Sequence, residues 1–259
     1  MKVILIGDMV GKPGRRALLA NLKQLKTEHE AEFVVANVEN AAEGAGLVPK
    51  IGDEILGAGV DVMTSGNHIY DKREVIGYIE NQPRLLRPAN YAPETPGRGL
   101  WLGSTQSGTP VAVINVQGRV FMPPSDCPFR TADRLVAEVS SRARVIIVDH
   151  HAEATSEKQA LGRYLDGRVS AVVGTHTHVQ TADEQVLKGG TAYITDLGMT
   201  GPYESVIGVQ SELIIGRFLR GMPTRFETAT DGAKLCGVVV EIDERSGKAS
   251  HIERFQVNG

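Results

Sequence analysis

Cysteine is scarce in this sequence, with only Cys127 and Cys236 among 259 residues. The two lie far apart, and neither belongs to a C-x-x-C pair. A disulfide framework or a thiolate zinc site needs more cysteines at closer spacing. The scarcity therefore argues against both and indicates a protein of a reducing compartment.

Long apolar runs and a strong positive charge are also missing. No stretch reaches the roughly 18 apolar residues that a membrane span needs, and Asp8 ends the apolar start MKVILIG too early for a signal peptide. We therefore expect a cytoplasmic protein with no membrane partner. The net charge of −3 argues against a general nucleic-acid binder. Phosphate-bearing substrates stay open, because bound cations could supply a local positive field.

What the sequence does contain is a repeated alternation of apolar strand-length runs with helical patterns, which is typical of a parallel α/β sheet. The proline-rich stretches 85–108 and 118–130 interrupt this alternation, and we interpret 118–130 as a loop insertion. We predict one domain, residues 1–259, in which two packed sheets are covered by helices. The predicted strands are 2–7, 33–38, 60–64, 110–117, 145–149, 169–174 and 191–195, with a hairpin of 233–242 and 249–255. The predicted helices are 15–30, 50–58, 71–79, 131–142, 156–165 and about 209–219.

Polar side chains cluster just past the ends of five predicted strands. In parallel α/β folds, the carboxyl ends of the strands face one crevice where ligands bind. Carboxylates, amides and imidazoles together suit borderline ions such as iron, manganese and zinc. The set comprises Asp8, Glu39, Asn40, Asn67, His68, Asp149, His150, His151, His176 and His178.

Two features of this set indicate a pair of ions. Glu39 could bridge two cations, and His176 and His178 are spaced i, i+2, which puts both rings on one side of an extended segment. Two close ions can clamp the attacking and leaving oxygens of an in-line displacement. Taken singly, each residue has a simpler interpretation: Asp8 as a helix N-cap, Glu39-Asn40 as a solvated loop, Gly66-Asn67 as a turn. The combination favours metal binding.

The residues also resemble a known family. The order Asp8, GNH at 66–68, His151 and GTHTH at 174–178 resembles the calcineurin-like metallophosphoesterase superfamily, which has a four-layer αββα sandwich and a two-metal site. That superfamily usually opens with Asp-x-His, but Val10 stands at the third position here, and Glu39-Asn40 replaces the usual GD. The variant is similar to the YmdB-like bacterial branch of 2′,3′-cyclic nucleotide 2′-phosphodiesterases. The strings that carry this similarity are IGDMVGKPGR, NVENAAEGAG, SGNHIYDK, DHHAEATSEK, VGTHTHVQTAD and ITDLGMTGP.

The resemblance implies a role for each site residue. Its first ion would be held by Asp8, Glu39, Asn40 and His178, and its second by Glu39, Asn67, His151 and His176. Metal-bound hydroxide would attack phosphorus, and His68 would act as general acid for the leaving oxygen. The ions implied are iron, with manganese as the alternative. Because adjacent strand residues face opposite sides, only one of His150 and His151 should face the metals, and the family alignment selects His151.

The residues and the resemblance leave the substrate, the reaction class and the oligomeric state open. The implied substrates are 2′,3′-cyclic nucleotides or similar small phosphodiesters, with RNA-derived phosphoesters as a further class. One alternative is a broad phosphomonoesterase or protein phosphatase, and another is a regulatory protein with weak phosphodiesterase activity. The resemblance also implies a homodimer or homotetramer.

Overall fold

In the computed structural model, which describes residues 1–259, the chain forms two β-sheets and six α-helices. The first sheet contains β1 (Lys2–Ile6), β2 (Asp8–Met9), β3 (Phe33–Asn37), β4 (Val62–Thr64), β11 (Met199–Pro202), β12 (Ala233–Ile242) and β13 (Ala249–Asn258). The second sheet contains β5 (Leu100–Ser104), β6 (Pro110–Gln117), β7 (Val145–His151), β8 (Ala171–Thr175), β9 (Gln185–Val186) and β10 (Ala192–Ile194). The helices are α1 (Gly11–Glu28), α2 (Pro49–Gly57), α3 (Val75–Asn81), α4 (Pro128–Val139), α5 (Thr155–Leu165) and α6 (Ser211–Arg220).

The sheets pack face to face, with helices on their outer sides. Side chains of both sheets, such as Val35 and Val113, share one buried apolar cluster between them. The outer face of the first sheet packs against α1 and α2, for example through Leu18. The outer face of the second packs against α4 and α5, for example through Leu161. This is the predicted four-layer αββα sandwich.

The strand pairing brings the carboxyl ends of several strands to one edge. In the first sheet β1, β3 and β4 run parallel, and in the second β6, β7 and β8 run parallel. Strands covered on both faces carry apolar side chains on both faces, as the KVILI run of β1 does. The loops that leave these carboxyl ends therefore meet in one place.

Three helix starts differ from the sequence prediction by at least three residues: α3 begins at Val75 rather than at residue 71, and the other two helices have a proline in their first turn. The first helix begins at Gly11 rather than at residue 15, and α4 begins at Pro128 rather than at residue 131. Proline is tolerated in the first helical turn, where no intrahelical partner for its missing N–H is needed. The loop predicted over 118–130 therefore ends at Cys127. None of the helices is long and apolar enough to cross a membrane.

Candidate metal centre

Three of the predicted ligands converge on the ring of a fourth, His151. Its Nε2 atom lies 2.9 Å from Asn67 Oδ1, 3.2 Å from Glu39 Oε1 and 3.1 Å from His176 Nδ1. The His151 and Glu39 side chains are fully buried. These four residues come from loops or strand ends of both sheets, so the site forms only when the two sheets pack.

Hydrogen bonding on the far side of His151 makes this arrangement a cluster of electron-pair donors. The Thr175 hydroxyl donates to Asp149 Oδ1 at 2.8 Å, so its oxygen accepts from His151 Nδ1–H at 3.0 Å. His151 Nε2 is then left with a lone pair that faces the oxygens of Asn67 and Glu39. A buried group of lone pairs that face one another is stabilised when a cation binds between them.

The pKa values of His151 and Glu39 without metal also indicate a place for a cation. Burial alone would lower the pKa of His151, but the Glu39 and Asp8 carboxylates raise it to about 9. Burial acts to raise the pKa of Glu39, whereas the charge and hydrogen bond of His151 bring it down to about 2. A proton is thus drawn to the point where a metal ion would sit.

The remaining predicted ligands form a second group beside the first. Asn40 Nδ2 lies 3.2 Å from Glu39 Oε1 and 3.3 Å from His178 Nε2. Asp8 Oδ2 accepts the backbone N–H of His176 at 2.9 Å. The other oxygen of Asp8 and the amide oxygen of Asn40 are buried without any hydrogen-bond partner. Because buried polar atoms are normally paired, these two oxygens fit an ion held between Asp8, Asn40 and His178.

Each of the three histidines has its second ring nitrogen tied to an acceptor. His151 uses Thr175, His176 Nε2 lies 3.1 Å from Glu153 Oε2, and His178 Nδ1 donates to the Ile207 carbonyl at 2.8 Å. Metal-binding histidines are commonly oriented in this way, since the outer hydrogen bond fixes the tautomer and the ring plane. The ring nitrogens left over are the ones that face the two groups described above.

His68 stands at the rim of the same site. Its backbone N–H donates to Glu39 Oε2 at 2.9 Å, and its ring Nδ1 lies 2.8 Å from Asp71 Oδ2. The side chain is 43% exposed, unlike the buried ligands. With Nδ1–H held by Asp71, Nε2 is left to meet a substrate.

Two residues of β7 that precede His151 serve the interior instead. His150 is on the opposite face of the strand from its neighbour His151, and neither of its buried ring nitrogens has a partner. Asp149 is buried and accepts hydrogen bonds from Thr64, Thr175 and Asn37. The structure therefore makes Asp149 a support for Thr175, which in turn holds His151.

All eight residues predicted from the sequence thus lie at this edge: Asp8, Glu39, Asn40, Asn67, His68, His151, His176 and His178. The supporting residues Thr175, Glu153 and Asp71 are not singled out by the sequence. A signal was present for all three: Thr175 lies inside the GTHTH string, Glu153 lies inside DHHAEATSEK, and Asp71 follows His68 at i+3 in SGNHIYDK.

Comparisons with known proteins give the family. A model described as "YmdB-like protein" matches residues 4–255. The chain belongs to the YmdB-like family. A 2′,3′-cyclic-nucleotide 2′-phosphodiesterase of Bacillus subtilis (strain 168) is 50% identical over 258 residues, which cover 100% of this chain and 97% of the relative. A putative phosphatase/phosphodiesterase of Mycoplasma pneumoniae is 36% identical, with 99% of this chain and 93% of the relative covered.

Two solved structures match this YmdB-like chain over its whole length. A hypothetical protein from Thermus thermophilus has a TM-score of 0.93 at 42% identity, with 99% of that chain covered. A structure described as a novel phosphatase from Mycoplasma pneumoniae has a TM-score of 0.94 at 36% identity, with 93% of that chain covered. The αββα sandwich is therefore shared with a solved phosphatase.

Proposed function

We propose that this protein is a two-metal phosphodiesterase that hydrolyses 2′,3′-cyclic nucleotides or similar small phosphodiesters. The observation that carries the proposal is the convergence of unpaired ligand atoms around Glu39, beside an exposed histidine. The 50% identity over the whole chain to a protein named as a 2′,3′-cyclic-nucleotide 2′-phosphodiesterase supports the choice of substrate.

Seven residues would hold the ions. One ion would bind Asp8, Glu39, Asn40 and His178, and the other would bind Glu39, Asn67, His151 and His176. A donor set of imidazole nitrogens with carboxylate and amide oxygens suits iron, our first choice, or manganese. Bound there, the two ions would neutralise charge on the phosphate and lower the pKa of a water ligand.

His68 would protonate the leaving oxygen. In a 2′-phosphodiesterase reaction the bond between phosphorus and O2′ breaks, an oxygen from water joins phosphorus, and O2′ leaves with a proton. An imidazole is suited to donate that proton near neutral pH. Asp71 holds Nδ1, so the proton would leave from Nε2, and the product would be a nucleoside 3′-monophosphate.

The test is a comparison of His68→Ala with His251→Ala. His251 is an exposed histidine on β13, so its replacement controls for loss of an imidazole outside the site. Hydrolysis of 2′,3′-cyclic AMP would be followed by chromatography of the products, and metal content by elemental analysis. We expect His68→Ala to lose turnover by about 10²–10⁴-fold with its metal intact, and His251→Ala to match the wild type. Loss of metal from His68→Ala, or retained turnover, would contradict the assigned role.

A phosphomonoesterase is the second candidate, because two matched proteins are described as phosphatases. Rates on p-nitrophenyl phosphate and on 2′,3′-cyclic nucleotides, measured on one preparation, separate the two. A kcat/KM that is higher on the monoester would favour the second candidate.

We further propose that the protein works in the cytoplasm as a homodimer or homotetramer. Two free cysteines, Cys127 and Cys236, support a reducing compartment. Light scattering coupled to size-exclusion chromatography tests the assembly, and a monomeric mass would overturn it.

A further inference from the structure

One charged pair lies outside the proposed ligand set and yet is buried beside it. Lys158 Nζ of α5 lies 2.6 Å from Asp196 Oδ2, and the two side chains are 1% and 0% exposed. The two residues come from the DHHAEATSEK and ITDLGMTGP strings, and the proposed reaction uses neither of them. A buried ion pair is weak evidence for stability, because removing two charges from water offsets their attraction. We therefore expect the Lys158–Asp196 pair to have a role other than stabilising the fold.

The loop beside the pair has a strained backbone. His176 and His178 have φ angles of +101° and +66°, in a region that non-glycine residues rarely occupy. Such conformations persist only where the surroundings impose them. Thr177, between the two, donates both its backbone N–H (3.1 Å) and its hydroxyl (2.7 Å) to Asp196 Oδ2. One carboxylate oxygen thus holds the turn that presents both histidines.

The Oδ1 atom of Asp196 is connected through Gly198 to a third predicted ligand, Asp8. Asp196 Oδ1 accepts the N–H of Gly198 at 2.8 Å, and the Gly198 carbonyl accepts the N–H of Asp8 at 3.0 Å. Asp8 in turn accepts the backbone N–H of His176. Asp196 is therefore linked by hydrogen bonds to Asp8 and, through Asp8, to His176, while Thr177 between the two histidines donates to Asp196 directly.

Gly174, the first residue of the GTHTH string, leaves space for the Lys158 side chain to reach the Asp196 carboxylate. A Cβ added at Gly174 would lie 1.8 Å from the Thr195 carbonyl oxygen and 3.0 Å from Cδ of Lys158. Glycine at this position lets β8 pack closely against both the lysine stem and the segment that carries Asp196. The lysine thus reaches Asp196 from the helical layer.

We infer that Lys158 and Asp196 are positioning residues for the metal centre: the ion pair fixes the Thr177 turn, and the turn fixes His176 and His178. This inference rests on the proposed metal site and adds to it the part that sets metal affinity. Lys158 holds the Asp196 carboxylate in place, and Asp196 holds the ligand loop through the two hydrogen bonds that it accepts from Thr177.

Metal affinity in Lys158→Met tests the inference. The dissociation constant for Mn²⁺ would be measured by competition with a chelator, well below the melting temperature, alongside thermal melting. Outer partners of metal ligands typically change affinity by about 10–100-fold when lost, and we expect a weakening in that range. Turnover of Lys158→Met should recover when Mn²⁺ is raised in proportion.

Leu161→Ala is the matched control, because Leu161 lies in the same helix, is fully buried and belongs to the outer apolar cluster. It should lower the melting temperature while leaving Mn²⁺ affinity within about twofold of the wild type. If Lys158→Met does not fold, Thr177→Val serves instead, since it removes only the hydroxyl bond to Asp196; it should weaken Mn²⁺ binding severalfold. Wild-type Mn²⁺ affinity in the folded variant, or an equal loss in Leu161→Ala, would overturn the inference. A wild-type protein that binds no metal would instead refute the proposed site.

Discussion

Replacing Gly66 with alanine should damage the metal centre through a single methyl group. A Cβ at this position would lie 2.1 Å from both Nε2 and Cδ2 of His151. Ordinary contacts between heavy atoms of this kind are about 3.5–4.0 Å, so the ring or the Gly66 backbone must move by more than about 1 Å. The ring is fully buried and held by its Nδ1–H hydrogen bond to Thr175, so it has little freedom to yield.

The expected size of the effect follows from that displacement. A 1 Å misplacement at a catalytic centre costs on the order of 10²-fold in rate, and overpacking of a buried site costs about 1–3 kcal/mol in stability. For a chain of this size each kcal/mol lowers Tm by about 2–4 °C. We therefore expect Gly66→Ala to lose about 100-fold in kcat/KM on a 2′,3′-cyclic nucleotide and to retain less metal after purification.

Gly77→Ala is the control for this substitution. Gly77 lies within α3, and an added Cβ would meet no atom within 4 Å. Alanine in a helix interior is favoured over glycine by about 0.5–1 kcal/mol, so this variant should be slightly more stable and fully active. Wild-type metal content and kcat/KM in Gly66→Ala would refute the reasoning, because they would show that His151 can give way without consequence.

Three further predictions concern the surroundings of the ligands. Thr175→Val removes the hydroxyl between Asp149 and His151 at nearly constant shape; metal affinity should fall about 10–100-fold, as measured by chelator competition, and unchanged affinity would contradict the tautomer argument. Removal of metal should make stability fall as pH rises from about 7 to about 9: although burial alone would lower the pKa of His151, the Glu39 and Asp8 carboxylates raise it from 6.5 to about 9, and the stability from that shift is lost over this range. Burial lowers the pKa values of His150 and His176, so these two rings oppose folding only below about pH 6.5 and do not alter the slope above pH 7. Melting curves of the chelator-treated protein at about pH 7 and about pH 9 check this, and equal melting temperatures would refute it. His150→Phe removes two unpaired buried nitrogens, each of which costs about 1–3 kcal/mol; Tm should rise with activity unchanged, and a lower Tm would mean that the ring has a partner after all.

Much of the site was predictable because it depends on local pattern. Apolar runs predict strands, and polar residues that directly follow parallel strands must meet at one edge of a sheet. Asp8 and Glu39 were identified in this way without any knowledge of sheet order, whereas the choice of His151 over His150 came from the family resemblance. The helix starts were less accurate, as at Pro128, because a proline reads as a break when it also begins a helix.

The sequence by itself therefore determined the αββα class, the residues that reach the common edge and the chemistry they can offer. Only the tertiary structure decided which ring nitrogen of each histidine faces the site, and which buried groups support it. Glu153, Lys158 and Asp196 lie in strings that carry the family similarity, but the sequence did not indicate their partners, because a charge on a helix or after a strand looks solvated until the partner sheet covers it. The Lys158–Asp196 pair joins positions 38 residues apart, and such contacts depend on strand order and layer packing, which no local periodicity encodes.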